Sequence, residues 1–314
     1  MTGSTDIGNS RRESSAASLK RPTITIVTPS LNRERYLAET MDSVLGQNYP
    51  KLEYIVVDGE STDGSVELIE SRADELAWWI SEPDNGAWEA INKGFTHATG
   101  DVMGWIGSDD LLMPWSLSVV GEVFATFPQI DWLTTMFPTR CDEEGRPVET
   151  DYLSAYSADA FFRGENLPFA GWHAAGFIQQ EATFWRRSLW ERVGSRLDES
   201  MKLAADFELW ARFHRSGARL YGVPVPLACF RIHGKQLSRD SRGYTEEAQL
   251  VLRRYGGKPA TVSGVPFVRR ALVRILPRSF QQLAVKVVAG LLSGPTREGL
   301  CVVRDRTGWR IEGR

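Results

Sequence analysis

The chain has 314 residues, of which 42% are hydrophobic and 25% are charged, and its formal net charge is −3. This balance is typical of a globular protein and excludes collagen, a coiled coil and a wholly disordered chain. No apolar run reaches the roughly 18–20 residues that span a bilayer, and the first residues lack the pattern of a signal peptide. The three cysteines lie far apart, which fits a reducing cytosol better than a disulfide framework or a metal cluster.

Charge is distributed unevenly along the chain. Residues 248–297 contain nine lysines and arginines and no acidic residue, so the remainder of the chain is strongly acidic. Nucleic-acid binding is not expected, because proteins of that class spread positive charge over their recognition surface. A basic segment on an acidic body indicates contact with an anionic surface.

The apolar patterns predict an α/β fold. In chain order they predict a disordered leader over 1–21, strands over 23–27, 54–57, 78–80 and 101–106, and helices over 34–45, 65–76 and 87–98. Farther along they predict strands over 132–137, 177–185 and 219–223 and a helix over 205–216. Strands that alternate with helices favour βαβ units and a mostly parallel sheet flanked by helices.

Polar clusters follow each of the early strands. They occupy residues 28–33, 58–65, 81–86 and 108–110, and in open α/β sheets ligands bind beyond the carboxyl ends of the strands. Neither a Walker lysine nor a G-x-G-x-x-G motif is present. The adjacent carboxylates Asp109 and Asp110 repel each other unless water or a cation lies between them, and oxygen ligands favour Mg²⁺ or Mn²⁺.

Together these segments resemble a family 2 glycosyltransferase with the GT-A fold, of the bacterial subgroup that builds surface polysaccharides. The resemblance rests on T-P-S-L-N-R (28–33), T-M-D-S-V-L-G-Q-N-Y-P (40–50), E-Y-I-V-V-D-G-E-S-T-D-G-S (53–65), S-E-P-D-N-G-A-W-E-A-I-N-K-G (81–94), G-D-V-M-G-W-I-G-S-D-D (100–110), Q-E-A-T-F-W (180–185), A-A-D-F-E-L-W-A-R (204–212) and R-I-H-G-K-Q-L-S (231–238). It implies an inverting, metal-dependent transfer of a sugar from a nucleotide-sugar donor, for which a UDP-sugar is expected. The acceptor it implies is a saccharide or a lipid-linked molecule.

The resemblance also implies a role for particular residues. The uridine pocket is expected to contain Thr28, Pro29, Asn32 and Asp58, with Asp84 in the loop that closes over the base and Lys93 at the diphosphate. Asp109 and Asp110 match the metal-binding motif, where Asp109 also contacts the ribose, and His233 is the expected late ligand of the metal or diphosphate. Asp206 matches the general base, and its predicted place in the first turn of a helix favours its charged form.

Two residues depart from the family pattern. The family often has an acid or asparagine where this chain has Gly107, and usually has aspartate where this chain has Glu89. These departures are the support for one alternative, a catalytically impaired scaffold that binds nucleotide sugars. A nucleotidyltransferase is the second alternative, although a triphosphate normally requires a glycine-rich basic loop and the loop at 28–33 has a single arginine and no glycine.

The predicted organisation is a leader over 1–21, a glycosyltransferase domain over 22–240 and a basic, mainly helical extension over 241–314. Within the extension, residues 257–292 mix apolar residues with arginine, a pattern that fits either an interfacial membrane anchor or a helix pair packed on the catalytic domain. The expected location is therefore cytoplasmic, with the membrane's inner face as the surface that the anchor would contact.

Overall fold

The computed structural model describes residues 20–153, 156–167, 176–234, 236, 240–257, 299–305 and 308–313. The predicted leader before Lys20 and most of the basic segment lie outside the described residues, so the predictions for them stay predictions. None of the helices in the described ranges has the length and apolar character that crossing a bilayer requires.

The first part of the chain alternates strands and helices as predicted. Its elements are β1 (Ile24–Ser30), α1 (Glu34–Leu45), β2 (Leu52–Asp58), α2 (Ser65–Ser71), β3 (Trp78–Ser81), α3 (Ala87–Thr96) and β4 (Val102–Trp105). β1 is parallel to both β2 and β4, and β2 is parallel to β3. Helix α1 forms where Leu37, Met41 and Val44 recur at helical spacing, and all three side chains are buried.

The second part is less regular. It contains β5 (Leu111–Leu112), α4 (Ser116–Thr126), β6 (Trp132–Thr135), β7 (Thr139–Cys141), β8 (Pro147–Thr150), α5 (Ala158–Phe162), β9 (Phe184–Arg186), α6 (Arg187–Arg192), α7 (Ala205–Arg215), β10 (Leu220–Val223), β11 (Ala228–Arg231), α8 (Ser241–Arg254), β12 (Leu300–Asp305) and β13 (Gly308–Gly313). The large sheet has the order β13-β12-β10-β6-β9-β4-β1-β2-β3, and five of its eight pairings are parallel. The predicted α/β class, with a mostly parallel sheet, is therefore confirmed.

The apolar core lies on both faces of the large sheet. One face packs Val27, Trp105 and Trp185 against α7, and the other packs Ile26 and Val56 against α1 and α4. Both faces of the central strands are buried, which explains why β1 is rich in β-branched residues and why the centre of β2 is a continuous apolar run.

A second, smaller sheet has the order β5-β11-β7-β8. β5 pairs antiparallel with β11, with Leu111 opposite Cys229. Because β5 begins directly after Asp110 and β11 ends at Arg231, this pairing brings the end of β11 beside the carboxylate pair. The small sheet therefore joins two segments that are far apart in the sequence.

Two predicted elements are shorter than expected. The run at 177–185 is not one strand, since residues Gln180–Ala182 form a 3₁₀ turn and only β9 joins the sheet. The side chain of Gln179 exchanges hydrogen bonds with the backbone of Thr139, and Gln180 Nε2 donates to the carbonyl of Trp105, so these residues bind loops instead of extending a ladder. The helix predicted over 65–76 ends at Ser71 and is followed by a 3₁₀ turn, Ala73–Glu75.

The last described residues differ from the mainly helical extension that the sequence predicts. β12 pairs parallel with β10, and β13 pairs antiparallel with β12. Cys301 and Val302 are both buried, and Val302 joins the apolar core on one face of the sheet. Of the predicted extension, α8 is helical and packs against α7, whereas residues 299–313 belong to the sheet where the structure describes them.

Candidate active site

A cavity of ≈ 1220 Å³ opens at the carboxyl edge of β1 and β4 and extends to the first turn of α7. It gathers loops that follow the sheet strands, as expected for an α/β fold. The predicted site residues that line it are Pro29, Asn32, Asp84, Asp109, Asp110 and Asp206. The other four predicted site residues, Thr28, Asp58, Lys93 and His233, are not part of its lining.

Asp58 is fully buried behind the cavity wall. Its carboxylate accepts hydrogen bonds from the backbone N–H of Ser61 at 2.8 Å, from Ser61 Oγ at 2.5 Å and from Ser81 Oγ at 2.8 Å. Asn32 adopts a left-handed backbone conformation, its N–H donates to Ser61 Oγ, and its side-chain oxygen accepts from the N–H of Thr62. These contacts tie the loops after β1 and β2 into one wall.

Two of the predicted site residues, Thr28 and Lys93, bind partners outside the cavity lining. Thr28 Oγ1 lies 3.0 Å from the hydroxyl of Tyr54, inside the core, so it stabilises the sheet. Lys93 forms an ion pair of 2.6 Å with Glu82 and is not part of the cavity lining. The predicted contacts of Thr28 with uridine and of Lys93 with the diphosphate stay predictions.

Asp84, in the loop between β3 and α3, and Glu89, in the first turn of α3, also line the cavity. Asp84 Oδ1 accepts from the N–H of Gly86 at 2.8 Å, and Gly86 has the positive φ of 130° that favours glycine. Burial raises the pKa of Asp84 above its ordinary value. The longer carboxylate of Glu89 reaches back to Asn85, whose N–H and side-chain amide donate to it at 2.9 and 2.7 Å.

Asp109 and Asp110 form the acidic end of the cavity. Asp109 Oδ2 lies 2.8 Å from His233 Nε2 and 3.4 Å from Arg33 Nε. Asp110 Oδ1 accepts from the N–H of Arg231 at 2.8 Å. Burial, reinforced by the nearby charges of Glu181 and Asp109, raises the pKa of Asp110 well above its ordinary value. A cation at this place would relieve that repulsion.

Gly107 faces the two carboxylates. A Cβ atom at this glycine would lie 2.9 Å from Asp109 Oδ1 and 3.0 Å from Asp110 Oδ2, so these two oxygens converge on one small space. The described residues contain no group of three His, Cys, Asp or Glu side chains arranged to hold a metal. Two carboxylate oxygens nevertheless fit Mg²⁺ or Mn²⁺, which proteins often hold with one or two carboxylates while substrate phosphates and waters complete the shell.

Asp206 lies in the first turn of α7, at the other end of the cavity. Its carboxylate accepts a hydrogen bond of 2.7 Å from the backbone N–H of Phe207. The hydroxyl of Tyr244 lies 3.2 Å from each of the two carboxylate oxygens and donates to them. Burial raises the pKa of Asp206 to about 6 despite these hydrogen bonds. A carboxylate with a pKa near neutrality is suited to accept a proton during a reaction.

Helix α8 holds the start of α7. The carboxylate of Glu247 accepts hydrogen bonds of 2.9 Å from the N–H groups of Lys202, Leu203 and Ala204. This carboxylate therefore attaches the turn that precedes α7, up to its N-cap residue Ala204, to α8. Glu247 and Tyr244 lie beyond residue 240, the predicted end of the glycosyltransferase domain. Both nevertheless contact residues at the start of α7, within the candidate active site.

Glu181, for which the sequence predicted no role, is buried in the cavity wall. Burial raises its pKa to about 7, and the charges of Asp206 and Asp109 act in the same direction. No role was predicted for Arg33, Arg231 or Tyr244 either. The available signal for Glu181, Arg33 and Arg231 was their place in motifs that carry the resemblance, whereas nothing local distinguishes Tyr244 from other tyrosines.

Comparisons with known proteins identify the family of this chain. The model for Glycosyl transferase family 2 matches residues 25–184. An uncharacterized glycosyltransferase of Mycobacterium tuberculosis is 39% identical over 212 residues, which are 66% of this chain and 73% of the relative. TuaG of Bacillus subtilis, a putative teichuronic acid biosynthesis glycosyltransferase, is 36% identical over 93 residues, which are 29% of this chain and 37% of TuaG.

Solved structures share the fold at low sequence identity. TarS 1-349 of S. aureus, in complex with UDP-GlcNAc, has a TM-score of 0.59 and 15% identity, covering 82% of this chain and 72% of that one. The mannosyltransferase PcManGT of Pyrobaculum calidifontis, in complex with GDP-Man and Mn²⁺, has a TM-score of 0.50 and 18% identity, covering 88% and 82%.

The fold is that of the solved GT-A glycosyltransferases, and the match to the family model defines the class of this protein as a glycosyltransferase. More particularly, the chain belongs to glycosyl transferase family 2, as the family model and the mycobacterial relative both establish.

Proposed function

We propose that this protein is an inverting, metal-dependent glycosyltransferase that uses a nucleotide-sugar donor, with a UDP-sugar as the leading candidate. The observation that carries the proposal is the arrangement of one cavity, with Asp109 and Asp110 at one end and the half-buried carboxylate of Asp206 at the other. A donor whose diphosphate lies at the acidic end would place its sugar toward Asp206.

In this proposal Asp206 is the general base. The acceptor hydroxyl attacks the anomeric carbon, its proton passes to Asp206, and the bond from that carbon to the diphosphate oxygen breaks. General-base help is typically worth about 10²–10⁴-fold. Tyr244 and Glu247 fix the position of the base, and binding both substrates in one cavity supplies the orientation that the reaction needs.

Asp109 would hold the divalent ion through Oδ1 and Asp110 through Oδ2, and these are the two oxygens that converge at Gly107. Such an ion, when bound, neutralises negative charge that develops on the leaving diphosphate. His233 contacts Asp109 and thereby helps to position this carboxylate. Its role as a direct ligand of the ion stays a prediction. Glycine at position 107 leaves the space between the carboxylates open, which argues against the impaired-scaffold alternative.

The proposed acceptor is a saccharide or lipid-linked intermediate of a surface polysaccharide. The name of TuaG, which refers to teichuronic acid biosynthesis, supports this class. The cavity wall includes the exposed apolar side chains Leu31 and Ile232, which suit an acceptor with an apolar portion. Membrane contact through residues 257–292 would serve such an acceptor, but this segment lies outside the described residues.

The experiment that tests the function is a donor panel. Purified protein is incubated with UDP-glucose, UDP-galactose, UDP-GlcNAc or GDP-mannose, with Mn²⁺ or with EDTA, and release of the nucleoside diphosphate is measured. We expect metal-dependent release from one donor, increased by a lipid-linked acceptor extract. Binding of the nucleotide without release from any donor, even with the extract, would favour the scaffold. The absence of metal-dependent nucleotide binding would overturn the proposal.

Transfer is expected to slow as the pH falls through about 6, because the pKa of Asp206 is raised to about 6 and only its ionised form accepts a proton. The titratable groups that face Asp206 are Tyr244 and Glu247 of α8 and Glu181 of the 3₁₀ turn. The value of kcat, measured at saturating donor from about pH 5 to about pH 8, checks this expectation. A rate that stays constant over this range would contradict it. Because Glu181 titrates nearby, the same profile of Glu181→Gln separates the two groups.

A further inference from the structure

We propose that Glu181 binds a hydroxyl of the transferred sugar and thereby contributes to the choice of donor. The inference rests on the proposed function and deepens it, because it assigns a sugar contact to a residue in the cavity wall beside the carboxylate pair. Glu181 lines the cavity and is 5% exposed, so its carboxylate is available to a bound molecule and only slightly to bulk water.

The position of Glu181 follows from the cavity lining and from the packing of its turn. Glu181 lines the same cavity as Asp109, Asp110 and Asp206, and the turn Gln180–Ala182 packs against β4, β5 and β11. β4 and β5 are the strands on either side of the carboxylate pair, so Glu181 lies in the part of the cavity wall beside that pair. In the proposed reaction the sugar occupies the space between the carboxylate pair and Asp206, since its anomeric carbon joins the diphosphate on one side and faces the activated acceptor on the other.

The turn that carries Glu181 is rigidly fixed on both sides. Gln179 Nε2 donates to the carbonyl of Thr139 at 2.9 Å, its side-chain oxygen accepts from the N–H of Thr139, and Gln180 Nε2 donates to the carbonyl of Trp105 at 2.7 Å. These contacts attach the turn to β7 and to the end of β4. A carboxylate held in this way is preorganised for a specific contact.

The hydrogen bonding of Glu181 leaves room for a ligand. Within the described ranges, the one side-chain donor to its carboxylate is Gln179, at 2.7 Å to Oε1. A carboxylate offers about four acceptor positions on its two oxygens. Since Gln179 occupies one of these positions and Glu181 faces the cavity, a hydroxyl from the bound sugar is the natural partner for the remaining ones.

The test compares nucleotide and nucleotide-sugar binding. The affinities of UDP and of the four donors of the panel are measured by calorimetry with Mn²⁺ for wild type, Glu181→Gln and Glu181→Asp. We expect Glu181→Gln to bind UDP as wild type does and to lose about 10–100-fold in kcat/KM and in affinity for the accepted donor, because a hydrogen bond to a charged group is lost. Glu181→Asp keeps the charge and is expected to recover part of the loss.

Glu70→Gln, on the exposed face of α2, is the matched control and should behave as wild type. An equal loss for UDP and for the nucleotide sugar would overturn the inference, since it would place Glu181 at the metal or nucleotide. Unchanged donor affinity would overturn it as well. If wild type itself binds no nucleotide with Mn²⁺, the proposed function fails first, so the two failures are distinguishable. Circular dichroism of each variant excludes loss of folding as the cause.

Discussion

Asp206→Asn is expected to lower kcat by about 10²–10⁴-fold while leaving the affinity for UDP close to that of wild type. The amide has nearly the same shape and still accepts a hydrogen bond from the N–H of Phe207, but it does not take a proton from the acceptor hydroxyl. Single-turnover rates with the donor from the panel, together with calorimetry of UDP binding, check both halves of this expectation. The residual kcat of Asp206→Asn, measured against pH, should also lack the inflection near the pKa of Asp206.

Asp159→Asn provides the matched control, because Asp159 is also in the first turn of a helix, α5, and is exposed. Its kcat is expected to equal that of wild type. If Asp206→Asn kept full transfer, the assignment of the general base would be wrong. If it lost UDP binding together with transfer, the role of Asp206 would be structural or nucleotide-binding rather than catalytic.

Arg231→Met is expected to lower the free energy of unfolding by about 2–5 kcal/mol, with loss of metal-dependent transfer. Arg231 is 1% exposed, and its guanidinium donates to the carbonyl of Asp109 at 2.7 Å, the carbonyl of Glu143 at 2.5 Å and the carboxylate of Glu39 at 2.6 Å. It also lies 4.9 Å from the centre of the Tyr36 ring. Methionine fills a similar volume but leaves these carbonyls without their donor, and each loss costs about 1–3 kcal/mol where water does not replace it.

Urea unfolding of wild type, Arg231→Met and Arg231→Lys measures the effect. Lysine keeps the charge but cannot satisfy three separate partners in this geometry, so an intermediate loss is expected. Arg242→Met is the control, since Arg242 forms an exposed pair with Glu246, and such pairs contribute about 0–1 kcal/mol. A loss in Arg231→Met no larger than that in Arg242→Met would show that Arg231 does not hold the carboxylate loop in place.

The alternating strands and helices up to β4, and the polar loops after them, could be predicted from the sequence. Each of these depends on local periodicity: apolar residues at helical spacing form α1, and β-branched runs form β1 and β2. The resemblance of the motifs also indicated Asp109, Asp110 and Asp206, and these three side chains line the cavity. For the run at 177–185 the same reasoning failed, since side-chain hydrogen bonds to distant backbone outweighed strand propensity.

Which polar groups face the cavity depends on how the elements pack. Thr28 forms a hydrogen bond with Tyr54, and Lys93 forms an ion pair with Glu82. The local sequence gives no sign of either partner. In the same way, Arg231 and Glu247 reach the site from segments far along the chain, through the pairing of β5 with β11 and the packing of α8 on α7. The position of a side chain along its own element is a local property, whereas its partners depend on how the elements pack, and that is why the roles of these residues emerge only from the folded chain.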